Sequence, residues 1–165
     1  MTIMARYHMR KSEREITEIT EIIDILLKGK YATISLCRND EPYLVTLSYG
    51  YDRAENALYF HAAPLGLKLD FIKANPNACG TVIEDHGYVV DQCEQNFRSL
   101  VFFGTMSIVD DLDDMKHAMN ILLEHLEGEP EPIKQRNVPD DESYKKVSML
   151  KFKITEMTGK SNLKK

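Results

Sequence analysis

Apolar positions along this chain follow two rhythms. From Thr20 to Gly29 the spacing is helical: Ile22, Ile23, Leu26 and Leu27 recur on one face. Thr20 is the expected N-cap, Glu21 and Asp24 lie near the positive helix end, and Gly29 is the stop. From Tyr31 onward the rhythm shortens. Tyr31 to Arg38 is rich in β-formers, Asn39-Asp40 makes a turn, and a second strand is expected from Pro42 to Tyr51. The polar turn Asp52 to Asn56 leads into Leu58-Tyr59-Phe60-His61-Ala62. Three strands joined by short turns predict an antiparallel meander.

Pro64-Leu65-Gly66 then opens a short helix, with Leu67, Phe71 and Ile72 on its apolar side. Asn75-Pro76 ends it, because the residue before proline avoids the helical region. Ala78 to Glu84 reads as a fourth strand, Asp85 to Gln95 as a polar loop, and Phe97 to Val109 as a long fifth strand with Gly104 a candidate bulge. Asp110 or Asp111 caps a helix whose stripe is Leu112, Met115, Met119, Leu122, Leu123 and Leu126, ended by Gly128. Glu129 to Ser143 is expected to be a loop. Lys146 to Glu156 is the sixth strand, with Leu150, Phe152 and Ile154 on one face and Lys151 and Lys153 on the other. Residues 1–18 are read as a polar N-terminal arm and 159–165 as a tail, so residues 1–165 form a single domain.

Six strands with isolated helices between hairpins predict a mainly β (α+β) fold: an antiparallel split β-barrel of Greek-key type with peripheral helices. Strands do not alternate regularly with helices, and neither the Gly-x-Gly-x-x-Gly nor the Walker pattern occurs, which argues against a doubly wound nucleotide fold.

Composition narrows the classes. The 165 residues are 43% hydrophobic and 28% charged, with a net charge of −5. Broad electrostatic binding to nucleic acid is not expected, since phosphate neutralisation needs a basic surface. The lysines near the C-terminus (Lys151, Lys153, Lys160, Lys164 and Lys165) are accounted for by an exposed tail. No apolar run approaches the roughly 18 residues a membrane helix needs, and no signal peptide is evident, so neither a membrane nor an exported location is expected and the cytoplasm is the default. Cys37, Cys79 and Cys93 are scattered, odd in number and free of any CxxC, which fits reduced thiols. Cys37 and Cys79 lie in apparent strands, where buried and inert is the expected state.

Candidate chemistry is sparse. His117 and His125 share a helix but lie about 80° apart at roughly 100° per residue. His86, Asp91 and Cys93 share a loop. No spacing matches a known ligand motif, so no metal site is expected. No Gly-x-Ser-x-Gly or activated cysteine is present either. More informative is Gly66-Leu67-Lys68, which follows a strand and opens a helix. Free amides at a helix start bind anions, glycine permits close backbone approach, and Lys68 adds a mobile charge. Arg98-Ser99 offers a second anion contact at the start of the fifth strand. The strand Val45 to Tyr51 mixes apolar and hydroxyl residues and suits a flat ring or a barrel wall.

Together these segments resemble the FMN-binding split-barrel superfamily of pyridoxamine 5′-phosphate oxidase, and within it the nitroimidazole-resistance (Nim-like) branch. The resembling stretches are Pro42 to Tyr51, Leu58 to Ala62 with Gly66 and Lys68, Phe97 to Gly104, and Thr158-Gly159-Lys160. The resemblance implies a homodimer with FMN, rather than FAD, at the subunit interface. It implies that Val45, Thr46, Leu47, Ser48 and Tyr49 line the ring, largely through backbone groups. It further implies that His61, Ala62, Gly66, Leu67 and Lys68 hold the ribityl-phosphate, and that Arg98 and Ser99 approach the cofactor.

Two departures matter. The helix start offers Leu67 where the oxidase clusters basic residues, and the oxidase's C-terminal substrate-binding arginine pattern is missing. A second phosphate beside the ring would lack its anion cluster. The expected activity is therefore reduction of small, electron-poor, nitroaromatic-type molecules. Leu47, Ser48, Tyr49, His61 and Tyr51 give an uncharged lining, with His61 the expected catalytic proton donor. A flavin sensor or carrier, a pyridoxamine phosphate oxidase-like enzyme, and a heme- or deazaflavin-binding protein are the alternatives.

Overall fold

The computed structural model describes residues 9–163. A 3-10 turn (Ser12–Arg14) leads into β1 (Glu15–Ile16) and α1 (Ile19–Lys28). The meander is β2 (Tyr31–Arg38), β3 (Glu41–Ser48), β4 (Gly50–Asp52) and β5 (Ala57–Ala62). Helix α2 (Leu67–Ala74) is followed by β6 (Asn77–Val89) and β7 (Glu94–Val109). Then come α3 (Leu112–Leu126), α4 (Pro130–Asn137), α5 (Asp141–Tyr144) and β8 (Ser148–Ser161).

All strand pairs are antiparallel, in one eight-stranded sheet ordered β3-β2-β6-β7-β8-β5-β4, with β1 added on β8. Neighbours β2–β6 and β8–β5 are distant in sequence, the crossing expected of a Greek-key barrel. The two ends of the order, β3 and β4, are consecutive in the chain. The sheet therefore curls on itself, and β3 approaches β5 without pairing to it. That gap is the split of the barrel.

Alternation explains the interior. Ala32, Ile34 and Leu36 of β2, Leu58, Phe60 and Ala62 of β5, Leu100, Phe102 and Met106 of β7, and Leu150, Phe152 and Ile154 of β8 are buried in one core. Burying each large aliphatic or aromatic side chain contributes about 1.5–3 kcal/mol. Helix α1 adds Ile22, Ile25 and Leu26 to this core, and α2 adds Leu69, Phe71 and Ile72. A second, smaller core lies outside the barrel wall, where α3 puts Ala118, Met119 and Leu122 against Ala57, Tyr59 and Met149.

Local signals account for the turns. Asn39 and Asp40 both take positive φ (49° and 64°), the conformation a two-residue hairpin demands. Asp111 caps α3 by accepting from the amides of Asp113 and Asp114. At Gly104 the β7–β8 register slips, with Phe103 opposite Glu156 and Gly104 opposite Ile154, so the extra residue is Thr155 on the facing strand. A Cβ at Gly104 would stand 1.9 Å from the Lys153 carbonyl oxygen, which is why glycine is required there.

Several expectations are corrected. The strand count is eight rather than six. The segment 85–95 is not a loop: β6 and β7 extend through it and turn over residues 90–93. The segment 129–143 holds α4, with Pro130 at its start, and α5, closed by a capping box between Asp140 and Ser143. Within the expected arm, Glu15 and Ile16 pair with Lys160 and Gly159, so the beginning of the tail is strand. Lys151, Lys153 and Lys160 accordingly lie in β8, while Lys164, Lys165 and residues 1–8 fall outside the described residues. The strand expected over 42–51 breaks at Tyr49, and Glu18 rather than Thr20 occupies the N-cap of α1. Cys37 and Cys79 are half-buried rather than buried.

Candidate functional site around the barrel split

The antiparallel register of β4 and β5 sets Gly50 opposite Tyr59. Across the split, β3 ends at Ser48 and approaches β5, which carries His61. Both side chains are exposed on the barrel exterior. Thr46 is also exposed and hydrogen-bonds Thr33 across the β2–β3 ladder (Oγ1 to Oγ1, 3.0 Å). Val45 and Leu47 alternate inward and pack on the core. Tyr49 is fully buried; its hydroxyl donates to the Leu26 carbonyl at 2.7 Å, and burial pushes its pKa up. Tyr51 is buried too and donates to Asn56 Oδ1. The expected ring-side lining is therefore reduced. Ser48 and His61 present side chains outward, whereas the Tyr49 and Tyr51 side chains point inward.

Beyond His61, Ala62 returns to the core and the chain turns at Gly66 into α2. Gly66 has φ 146°, a conformation favouring glycine, and open space where a Cβ would project. No side chain caps this helix start. Leu67 is exposed and Lys68 half-buried. Lys68 forms no ion pair among the described residues. Arg98 contrasts with it. Its guanidinium donates to Asp24 Oδ2 at 2.7 Å and to Glu84 Oε2 from Nε at 3.1 Å, and its side chain is only 13% exposed. Arg98 thereby ties α1 to the β6–β7 hairpin. Ser99, its neighbour, faces the opposite way. Ser99 pairs with Ile83 and Lys160 on the exterior row that continues toward Tyr31 and Ser48. Thr46, Ser48 and His61 thus present exposed side chains on β3 and β5, Gly66, Leu67 and Lys68 form the helix start that follows β5, and the Arg98 charge is engaged by Asp24 and Glu84.

Although α1 and α2 contact β2, β6 and β7, the outer face of these strands and of β3 keeps exposed apolar side chains. Leu44, Tyr31, Ile83 and Val101 stand out from it, 65%, 61%, 59% and 41% exposed. Pairing places these on one face together with Thr33, Thr46, Thr81 and Thr158. Separately, a surface pocket of about 660 Å³ lies beside α1, lined by Ile16, Ile19, Ile22, Ile23, Tyr51 and Met157 among others. Of the residues singled out from the sequence it contains Tyr51, with Thr158 and Gly159 of the closing stretch.

Sequence reasoning missed a polar cluster under α3. Asp52, at the end of β4, accepts from the amides of Ala54 and Glu55 (2.9 and 3.1 Å) and lies 2.8 Å from His117 Nε2. Burial would raise the Asp52 pKa, but the hydrogen bonds from His117 and the two amides outweigh it and hold it below the usual carboxylate range. Glu55 accepts from the Tyr59 hydroxyl at 2.9 Å and pairs with Lys151, which lowers its pKa. Tyr59 is pushed up to about 12 by burial and by its bond to Glu55. His117 sits edge-on to the Tyr59 ring. Nothing local in the sequence links Asp52 to His117.

Comparison with known proteins decides the family. The model of the pyridoxamine 5′-phosphate oxidase family matches residues 18–161. This chain belongs to that family. Its fold is also that of a protein provisionally assigned to 5-nitroimidazole antibiotic resistance from Bacteroides thetaiotaomicron. That likeness has 24% identity and TM-score 0.75, over 88% of this chain and 85% of that one. An FAD-binding protein from Mesorhizobium loti matches with 22% identity and TM-score 0.67, over 91% of this chain and 98% of that one. An uncharacterised protein of Rhizobium meliloti is 32% identical over 60 residues, 36% of this chain and 38% of that relative's length. The split-barrel class expected from the sequence is thus the fold of this family member.

Proposed function

We propose that this member of the pyridoxamine 5′-phosphate oxidase family is a flavoprotein that binds FMN at the barrel split and reduces small, electron-poor molecules of the nitroaromatic type. The observation that carries the reading is the α2 start. It is uncapped, open in front of Gly66, and supplied with an unpaired lysine, directly after the strand that displays His61. These features fit a phosphate, because helix-start amides and a lysine charge favour an anion. Lys68, Gly66 and the Leu67 amide would hold it. The β3 segment from Val45 to Tyr49 would face the ring with its backbone, since its far edge carries no ladder partner.

A bound flavin supplies the redox chemistry, and the protein supplies binding, orientation and tuning. Thr46 and Ser48, exposed on β3 beside the split, are uncharged. A neutral, flat acceptor fits such a surface better than a second phosphate ester does, and Arg98 is committed to Asp24 and Glu84. His61 would donate a proton from its imidazole to the acceptor as charge develops there.

The bare exterior of β2, β3, β6 and β7 supports a homodimer. It exposes large apolar side chains in a continuous face next to Thr46 and Ser48, and a second copy laid on it would close the split from water. The functional test is anaerobic. The flavin is photoreduced and mixed with a nitroimidazole or with pyridoxamine phosphate. Rapid reoxidation by the nitro compound, slowed at least tenfold in His61→Ala, is expected. Turnover of pyridoxamine phosphate in air without any response to the nitro compound would overturn the assignment.

A further inference from the structure

Helix α3 and the β4–β5 turn meet at three side chains that the flavin reading does not use. We propose that Asp52, Glu55 and His117 form a divalent-cation site, of the zinc or manganese class, that clasps α3 to the barrel wall.

One ligand atom from each residue lies within 4.8 Å of the others. Each carboxylate is anchored through one oxygen, which orients the other toward the cluster. Asp52 Oδ1 receives the amides of Ala54 and Glu55, which aims Oδ2 at His117 Nε2. Glu55 Oε2 receives the Tyr59 hydroxyl and the Lys151 ammonium, which leaves Oε1 unheld. Contacts of this kind, one step behind the ligands, fix ligand orientation in metal sites. A second observation concerns charge. Asp52 is 5% exposed, yet the cation facing it is an imidazole, charged only when protonated. A buried carboxylate calls for a permanent counter-charge, and a bound cation supplies one.

The donor set sets the metal class. One imidazole nitrogen with two carboxylates suits zinc, manganese or cobalt, whereas calcium and magnesium favour all-oxygen sites. His117 is 48% exposed, so the cation has an entry path and positions left for water. Binding replaces the Asp52–His117 hydrogen bond and needs the lone pair of Nε2, with the ring proton on Nδ1. Acid therefore weakens it. The Lys151 ammonium offsets part of the carboxylate charge without occupying the free oxygens. The site is independent of flavin binding.

The test uses the full chain, stripped with chelator and titrated with zinc chloride and manganese chloride by calorimetry, with thermal unfolding in parallel. One ion per chain and a higher Tm are expected for one of the two salts. His117→Ala, a half-exposed position whose folding is checked by circular dichroism, should bind about 10- to 100-fold more weakly and lose the Tm shift. His125→Ala, on the same helix, should keep both. Absence of saturable binding with either salt, or equal affinity in His117→Ala, would overturn the proposal.

Discussion

The barrel exterior has two halves that solve the same problem differently. Over β4, β5 and β8, helix α3 buries Ala57, Tyr59 and Met149, and the polar groups beneath it are paired: Asp52 with His117, Glu55 with Tyr59 and Lys151. On β2, β3, β6 and β7, Tyr31, Leu44, Ile83 and Val101 face outward among threonines and stay exposed, although α1 and α2 contact β2, β6 and β7.

The largest expected effect breaks the covered half. Asp52→Asn removes a buried carboxylate that serves two amides and His117. Measured with chelator present, it should cost about 2–3 kcal/mol of stability in a urea titration. The Asp52 pKa is lowered in the folded state, so its contribution is fully present above the unfolded value of about 3.9. It is lost as pH falls through the folded value. The gap between wild type and variant should therefore narrow in strong acid. A gap that widens there would contradict the assigned hydrogen bonds.

At the border of the bare half the expected effect is on ligand rather than on fold. Lys68→Ala should leave unfolding within about 0.5 kcal/mol of wild type. Its loss removes a charged hydrogen bond worth about 1.5–3 kcal/mol, so FMN binding should weaken by roughly 10- to 150-fold. Riboflavin, which lacks the phosphate, should be far less affected. Equal losses for both ligands would show that Lys68 does not meet the phosphate.

The smallest effect on the chain itself tests the bare half directly. Val101→Lys changes an exposed residue of β7, so monomer stability should shift by no more than about 0.5 kcal/mol. Light scattering should nonetheless fall from about twice 19.0 kDa to 19.0 kDa. An unchanged mass would mean that this face is not the interface.

Much of the barrel was legible in the sequence because its signals are local. The β2–β3 hairpin announces itself through alternation on either side of Asn39-Asp40, and α3 through its stripe and the Asp111 cap. The β6–β7 extension was not legible, since Asp85 to Gln95 is mostly polar, leaves Tyr88 and Val90 exposed, and gains its strand form from pairing with itself. Helices α4 and α5 were hidden by prolines, although Pro130 sits at a helix start, where its missing amide costs nothing. The site residues were readable as types and not as directions. Alternation could have turned the Tyr49 side chain inward and Ser48 outward. The commitment of Arg98 to Asp24 and Glu84, and the meeting of Asp52 with His117, join distant segments and appear only once the barrel closes.

The central claim is that the split holds a flavin. The most direct measurement is the visible spectrum of the purified chain, before and after addition of FMN, with any released cofactor identified by mass spectrometry. The account predicts a yellow protein with flavin absorption bands and FMN in the extract, where FAD would keep the flavoprotein and change the cofactor. A colourless chain that takes up neither FMN nor FAD would contradict it.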